Sequence, residues 1–139
     1  MRLPAVLILL ALSSAGSAFA QSPAPIGLAT RLVVVYSRLE NELTDKAKLD
    51  QLLSPDFEEM HVARDPAAAE PVVRHIPRDE WIKQGAGAPS MAQMAVHDQD
   101  ALRIVSYVAS ANGRQSYVVD VWKGSELQPF LATRYRTEL

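Results

Sequence analysis

The segment Ser-Tyr-Val-Val-Asp-Val-Trp at residues 116–122 places a carboxylate, Asp120, in the middle of a predicted buried strand. Valine, tyrosine and tryptophan are enriched in strands, whereas aspartate is depleted there. An ionised carboxylate is costly to bury unless it is paired, hydrogen-bonded or protonated. We therefore expect Asp120 to face a pocket, together with Val118 and Trp122 on the same face of the strand.

Other residue types that commonly carry chemistry are sparse in this chain. It contains no cysteine, which excludes disulfides, thiol catalysis and thiolate metal sites. Its three histidines, His61, His75 and His97, lack the spacing of metal ligands. No G-x-S-x-G motif marks a serine nucleophile. We therefore expect neither a metal nor a cofactor.

The first twenty residues predict a secretory signal peptide. Arg2 gives a positive start, residues 3–12 are apolar apart from one proline, and residues 18–20 form an A-x-A cleavage site. The apolar run is shorter than the ~20 residues that a membrane span needs. We expect a mature protein that begins at Gln21, has a short linker at 21–25, is periplasmic or secreted, and makes no membrane contact.

Residues 26–139 are enough for one domain. The whole chain has 14 basic and 16 acidic residues, for a formal net charge of −2, and no basic cluster. Nucleic acid is therefore not an expected partner, because nothing would neutralise its phosphates. Since disulfides are excluded, the domain must rely on its hydrophobic core.

Periodicity predicts helices first and a run of strands last, which is typical of an α+β domain. Helices are predicted at residues 26–46, 47–53 and 77–84. Strands are predicted at residues 56–62, 71–76, 91–97, 101–111, 115–123 and 127–137. The Asn112-Gly113 pair between two of these strands predicts a hairpin turn, since a type I′ turn needs two positive φ angles.

Three features together resemble a known superfamily. They are Leu-Leu-Ser-Pro-Asp-Phe after the second helix, Ile-Pro-Arg-Asp-Glu-Trp at the third, and the final four-stranded meander. The chain resembles the nuclear transport factor 2-like superfamily, which includes ketosteroid isomerase, scytalone dehydratase and the SnoaL-like cyclases. It is most similar to a branch of exported bacterial domains of unassigned function. The resemblance implies a cone-shaped, curved antiparallel sheet that wraps around the N-terminal helix and encloses a ligand cavity.

Three positions resemble the active site of ketosteroid isomerase. Tyr36 matches its oxyanion-hole tyrosine, and Asp120 in Val-Val-Asp-Val matches its protonated aspartic acid. His61 stands where the isomerase has its aspartate base, so the likeness departs there. The resemblance implies that His61 moves a proton while Tyr36 and a neutral Asp120 donate to an oxyanion.

A structural role competes with each of these assignments. Tyr36 lies beside the apolar stripe of its helix, where a tyrosine is more often a core ring. His61 and Asp120 are also explained as hydrogen-bonded structural residues. Arg134 and Arg136 alternate on the last strand, and a solvated or interface face is expected for them.

We therefore expect an exported domain that binds a small, mostly apolar molecule in an internal cavity. Trp81, Val118 and Trp122 are the candidate ligand contacts. One alternative is an isomerase, dehydratase or cyclase that uses general acid–base catalysis, and another is an interaction module with a filled cavity. Apolar residues on both faces of the strand at 115–123 also predict a homodimer through the outer sheet face.

Overall fold

The computed structural model describes residues 27–65 and 67–139. The predicted signal peptide and linker lie outside these residues. The elements follow in this order: α1 (Leu28–Glu42), α2 (Lys46–Leu52), β1 (Leu53–Ala63), β2 (Val72–Pro77), α3 (Arg78–Gln84), β3 (Ser90–Gln99), β4 (Leu102–Ala111), β5 (Arg114–Gly124) and β6 (Pro129–Glu138). The predicted α+β class is confirmed. Within the described residues, no helix combines the length and apolar character that a membrane crossing requires.

The six strands form one curved sheet in the order β2-β1-β6-β5-β4-β3. Strands β3 to β6 pair with their neighbours along the chain, which confirms the predicted meander. Register shifts in the β3–β4 and β5–β6 pairs mark irregularities of the kind that bend and twist a sheet. The expectation of an antiparallel sheet is wrong for one pair, because β1 runs parallel to β6. Periodicity predicts strands but does not identify their partners.

Helix α1 packs one face onto the sheet. Its buried side chains, Leu32, Tyr36, Leu39 and Glu40, recur every three or four residues, as expected for an amphipathic helix. Helix α2 follows after Asp45, whose carboxylate accepts a hydrogen bond from the backbone N–H of Ala47 at 3.0 Å and caps the helix.

Strand β5 separates a core face from an outer face, as its sequence predicts. Val118, Asp120 and Trp122 are buried, whereas Tyr117 and the two valines between them are partly exposed. The hairpin before β5 turns at Asn112 and Gly113, with φ angles of 52° and 75°. This agrees with the predicted turn and sets the register that places Asp120 inside the fold.

Candidate functional site

The concave face of the sheet carries two groups of polar side chains. The first, which we call the charge cluster, consists of Glu40, Tyr107, Asp120 and Arg134, all of them buried. The second lines a pocket at one end of the sheet. The two regions differ in their access to solvent.

Arg134 lies at the centre of the charge cluster. On neighbouring strands it is directly opposite Asp120, and its Nε and Nη2 atoms donate to the two carboxylate oxygens at 2.8 and 2.7 Å. Arg134 is 3% exposed and Asp120 0% exposed. This bidentate geometry is the arrangement in which an arginine–carboxylate pair is strongest. The expectation of a solvated face for Arg134 is wrong.

Glu40 reaches the same guanidinium from helix α1. Its Oε2 atom accepts from Arg134 Nη2 and from the Tyr107 hydroxyl, both at 2.7 Å. Its Oε1 atom is buried and has no hydrogen-bond partner among the described residues. Burial raises the pKa of Glu40 well above its usual range; Arg134 opposes this rise and Asp120 adds to it.

A second buried carboxylate, Glu59 on β1, borders the cluster. One of its oxygens accepts from the Trp81 indole N–H at 2.7 Å, and the other lies 3.6 Å from Arg136 Nε. The Arg134 guanidinium lies 5.6 Å from the centre of the Trp81 ring, within cation–π range. Trp81 thus connects helix α3 to the polar interior.

The end pocket has a volume of about 770 Å³ and is partly open. Its walls are the ends of β1 and β6, the β4–β5 hairpin and the loop at 86–89. Eight polar side chains line it: His61, Arg64, Ser110, Arg114, Gln115, Ser116, Arg136 and Glu138. The loop at 86–89 adds alanine, glycine and proline to the lining.

The same loop separates the end pocket from the charge cluster. A cavity of about 10 Å³ lies beside Glu40 and Arg134 and shares Ala86, Gly87 and Pro89 with the end pocket. Such a volume is close to that of a single water molecule. The loop therefore borders both cavities.

The structure does not bring the predicted catalytic residues to one surface. The Tyr36 ring is 3% exposed and packs against Trp122, with 5.5 Å between ring centres. Both oxygens of Asp120 accept from Arg134. Of the three residues only His61 lines the end pocket, and its Nε2 atom lies 3.4 Å from Glu138. The proposed roles of these residues in catalysis stay predictions.

The three predicted ligand contacts lie in the packed core. Trp81 is 3% exposed, and Val118 and Trp122 are 0% exposed. None of them is among the residues that line the end pocket. A role for them in ligand binding stays a prediction, and the pocket walls come from other side chains.

Sequence reasoning missed Glu40, Tyr107 and the pairing role of Arg134. A partial clue was present, since Glu40 follows Leu39 on the apolar side of α1 and Tyr107 alternates with apolar residues in β4. A buried carboxylate at position 120 is also stabilised by a cation nearby, which is one of the ways to offset its burial. In residues 27–65 and 67–139, no group of three or more histidine, cysteine or carboxylate side chains is placed to hold a metal ion.

Neither a protein-family model nor a curated protein matches the chain. Solved structures match its fold. An NTF2-like protein from Cytophaga hutchinsonii aligns over 82% of this chain and 100% of its own, with a TM-score of 0.62 and 11% identity. The CaMKII hub of S. rosetta aligns over 83% of this chain and 99% of its own, with a TM-score of 0.56 and 15% identity.

A candidate ketosteroid isomerase from Parabacteroides distasonis also aligns, over 81% of this chain and 89% of its own, with a TM-score of 0.53 and 9% identity. Identities this low establish a shared architecture and leave function open. The order of elements, the curved six-stranded sheet and these alignments agree. The chain has the fold of the nuclear transport factor 2-like proteins.

Proposed function

We propose that this domain binds a small molecule in the end pocket and that it does so after export. The observation that carries the proposal is the pocket itself, at about 770 Å³. Small-molecule sites generally measure ~300–1,000 Å³ and combine apolar walls with a few convergent polar groups. Here the apolar loop at 86–89 lines the pocket together with polar side chains that include His61, Ser116, Arg136 and Glu138.

The buried interior supports binding over acid–base catalysis at the predicted residues. Catalytic groups must reach the reacting atoms, but Asp120 is occupied by Arg134 and Tyr36 packs on Trp122. His61 lines the end pocket without Tyr36 and Asp120, so a base at this position would lack the two predicted oxyanion donors. The interaction-module alternative stays a prediction, and the end pocket is the observation that it explains least well.

Export is the second part of the proposal. Its support is the N-terminal sequence, which combines a positive start, an apolar run and an A-x-A site before Gln21. An exported binding domain would meet its ligand outside the cytoplasm. The test must therefore use protein recovered from the exported fraction.

The direct test is native mass spectrometry of that protein, which detects a co-purifying small molecule as added mass. A pocket-filling variant, Ser116→Phe, should lose the added mass, because Ser116 lines the end pocket. The matched control is Ala47→Phe on the exposed side of α2, which should retain it. If neither variant loses the added mass, or if both lose it equally, the end pocket is not the binding site.

A further inference from the structure

The end pocket has an excess of positive side chains. Three arginines, Arg64, Arg114 and Arg136, line it against one glutamate, Glu138. The whole chain is by contrast slightly acidic, with a formal net charge of −2. A concave surface that gathers one sign of charge raises the local concentration of ligands of the opposite sign.

Arg136 differs from its neighbour Arg134 in how its guanidinium is used. Arg134 donates to Asp120, Glu40 and Tyr107. Arg136 lies two residues further along the same inner face, is less than one-third exposed, and has a single ionic contact, 3.6 Å to Glu59. Within residues 27–65 and 67–139 its side chain makes no hydrogen bond, and its buried Nε atom is without a partner.

The Glu59 contact leaves the hydrogen-bond donors of Arg136 unused. Glu59 already accepts a hydrogen bond from Trp81 at 2.7 Å through its other oxygen. At 3.6 Å, the contact between Arg136 Nε and the Glu59 carboxylate is an ion pair that lacks a hydrogen bond. A partly desolvated guanidinium with unused donors is suited to a carboxylate or a phosphate, either of which it can bind through two parallel hydrogen bonds.

His61 stands beside Arg136 in the parallel β1–β6 pair. Its Nε2 atom is buried and forms no hydrogen bond, although Glu138 lies 3.4 Å away. Unsatisfied polar atoms are rare in native interiors, and an absent ion or ligand is one explanation for them. Two such nitrogens on adjacent pocket-lining residues place the polar end of the pocket at His61 and Arg136.

Another part of the pocket lining has a different chemistry. Ala86, Ala88 and Pro89 from the loop and Ala109 from β4 present small apolar surfaces. Small apolar surfaces of this kind suit the body of a ligand rather than its charged group.

We infer that the ligand is a small organic anion whose oxyanion group binds Arg136 and whose apolar body packs against the alanine–proline wall. Carboxylates and phosphate monoesters share this chemistry. The inference rests on the proposed small-molecule function and adds to it the charge and orientation of the ligand.

The experiment compares matched probes by NMR titration of the exported protein. The probes are phenylacetate, its neutral amide phenylacetamide, and phenyl phosphate. We expect at least one anion to bind about ten-fold more tightly than the amide, since an ionic hydrogen bond is worth roughly that factor. Shifts should centre on His61, Ser116 and Arg136. The better anion identifies the head group as carboxylate or phosphate.

Variants at Arg136 assign the effect. Arg136→Gln should remove the preference for the anion. Arg136→Lys should retain the positive charge but lose part of the preference for the anion. The control is Arg38→Gln, whose side chain is 76% exposed on α1 and should leave the preference unchanged. Arg136→Lys also guards against a folding defect in the neutral variant.

The possible failures are distinguishable. If the amide binds as well as the anions, or if Arg136→Gln keeps the preference, the anion inference is overturned while the binding function stands. If no probe shifts the pocket resonances and no co-purifying mass is found, both are overturned.

Discussion

Arg134 and Asp120 face each other across the β5–β6 pair and are joined by two hydrogen bonds, of 2.8 and 2.7 Å, in an interior that water does not reach. Neither charge is tolerable there alone, because a desolvated ion without its partner costs several kcal/mol. Asp120 is therefore a counter-ion for Arg134. This relationship determines how each member of the charge cluster should respond to substitution.

Asp120→Asn should destabilise the protein by about 3–5 kcal/mol. The amide preserves the shape of the side chain but leaves the Arg134 guanidinium short of its closest negative charge. Urea unfolding followed by circular dichroism measures the change. Glu40→Gln is the matched comparison and should cost much less, since Asp120 still balances Arg134. Equal losses in the two variants would contradict the assignment of Asp120 as the main counter-ion.

The stability of the protein should also report the protonation of Glu40. Burial raises the pKa of this carboxyl well above its usual range, whereas the unfolded chain releases the proton near pH ~4.3. Below that pH both states hold the proton and folding carries no penalty. As the pH rises towards the folded pKa, only the unfolded state releases its proton, so stability falls.

Glu40→Gln removes this titration and serves as the reference. As the pH is raised above ~4.3, we expect the unfolding free energy of the wild type to decrease relative to that of Glu40→Gln. Other carboxylates titrate in both proteins and cancel in the difference. A difference that stays constant from pH 4 to pH 8 would show that Glu40 keeps an ordinary pKa.

Much of the fold follows from local sequence features. The three-or-four-residue repeat of α1, the alternation in β5 and the Asn112-Gly113 turn are decided by neighbours a few positions away. The parallel pairing of β1 with β6 depends on residues far apart in the chain. Nothing in the local pattern of β1 identifies that partner, so only the three-dimensional arrangement reveals it.

The site is less predictable for the same reason. Asp120 stands out in its strand and is correctly predicted to be buried. For its partner Arg134 the sequence predicts a solvated or interface face, because alternating arginines on a terminal strand usually meet water, but the side chain is buried. The two residues meet only once β5 and β6 are in register, and Glu40 joins them from α1. Such convergence of distant residues leaves no mark on sequence spacing.

The outer face of the sheet should form a homodimer. Tyr117 and Tyr135 on β5 and β6 are 43% and 42% exposed, and Val119 and Val121 share their face. Exposed apolar surface of this kind is covered by association more often than left in water. Light scattering should give twice the monomer mass, and Tyr135→Glu should give a monomer. A wild-type monomer at tens of micromolar would contradict this prediction.

Cleavage after residue 20 is the expected processing event. Intact-mass measurement of the exported protein should give a chain that begins at Gln21, or its cyclised pyroglutamate form. Replacing both small residues of the A-x-A site, Ala18→Arg and Ala20→Arg, should block cleavage, because the site requires small side chains. Soluble exported protein that retains residues 1–20 would contradict the prediction.

Two tyrosines of the core offer a matched test of structural against chemical roles. The Tyr107 hydroxyl donates to Glu40 at 2.7 Å and accepts from Arg134 at 3.2 Å. The Tyr36 side chain forms no hydrogen bond within the described residues and packs against Trp122 in a tilted arrangement. Tyr107→Phe should therefore cost about 1–3 kcal/mol, because it leaves buried polar partners unsatisfied.

Tyr36→Phe should change stability by less than about 0.5 kcal/mol, since the ring and its contact with Trp122 remain. It should also leave binding of phenylacetate or phenyl phosphate unchanged, because Tyr36 does not line the end pocket. Urea unfolding and the NMR titration measure these two quantities. If Tyr36→Phe weakens binding while stability is retained, the hydroxyl reaches the ligand. The isomerase-like role of Tyr36 would then be favoured over a purely structural one.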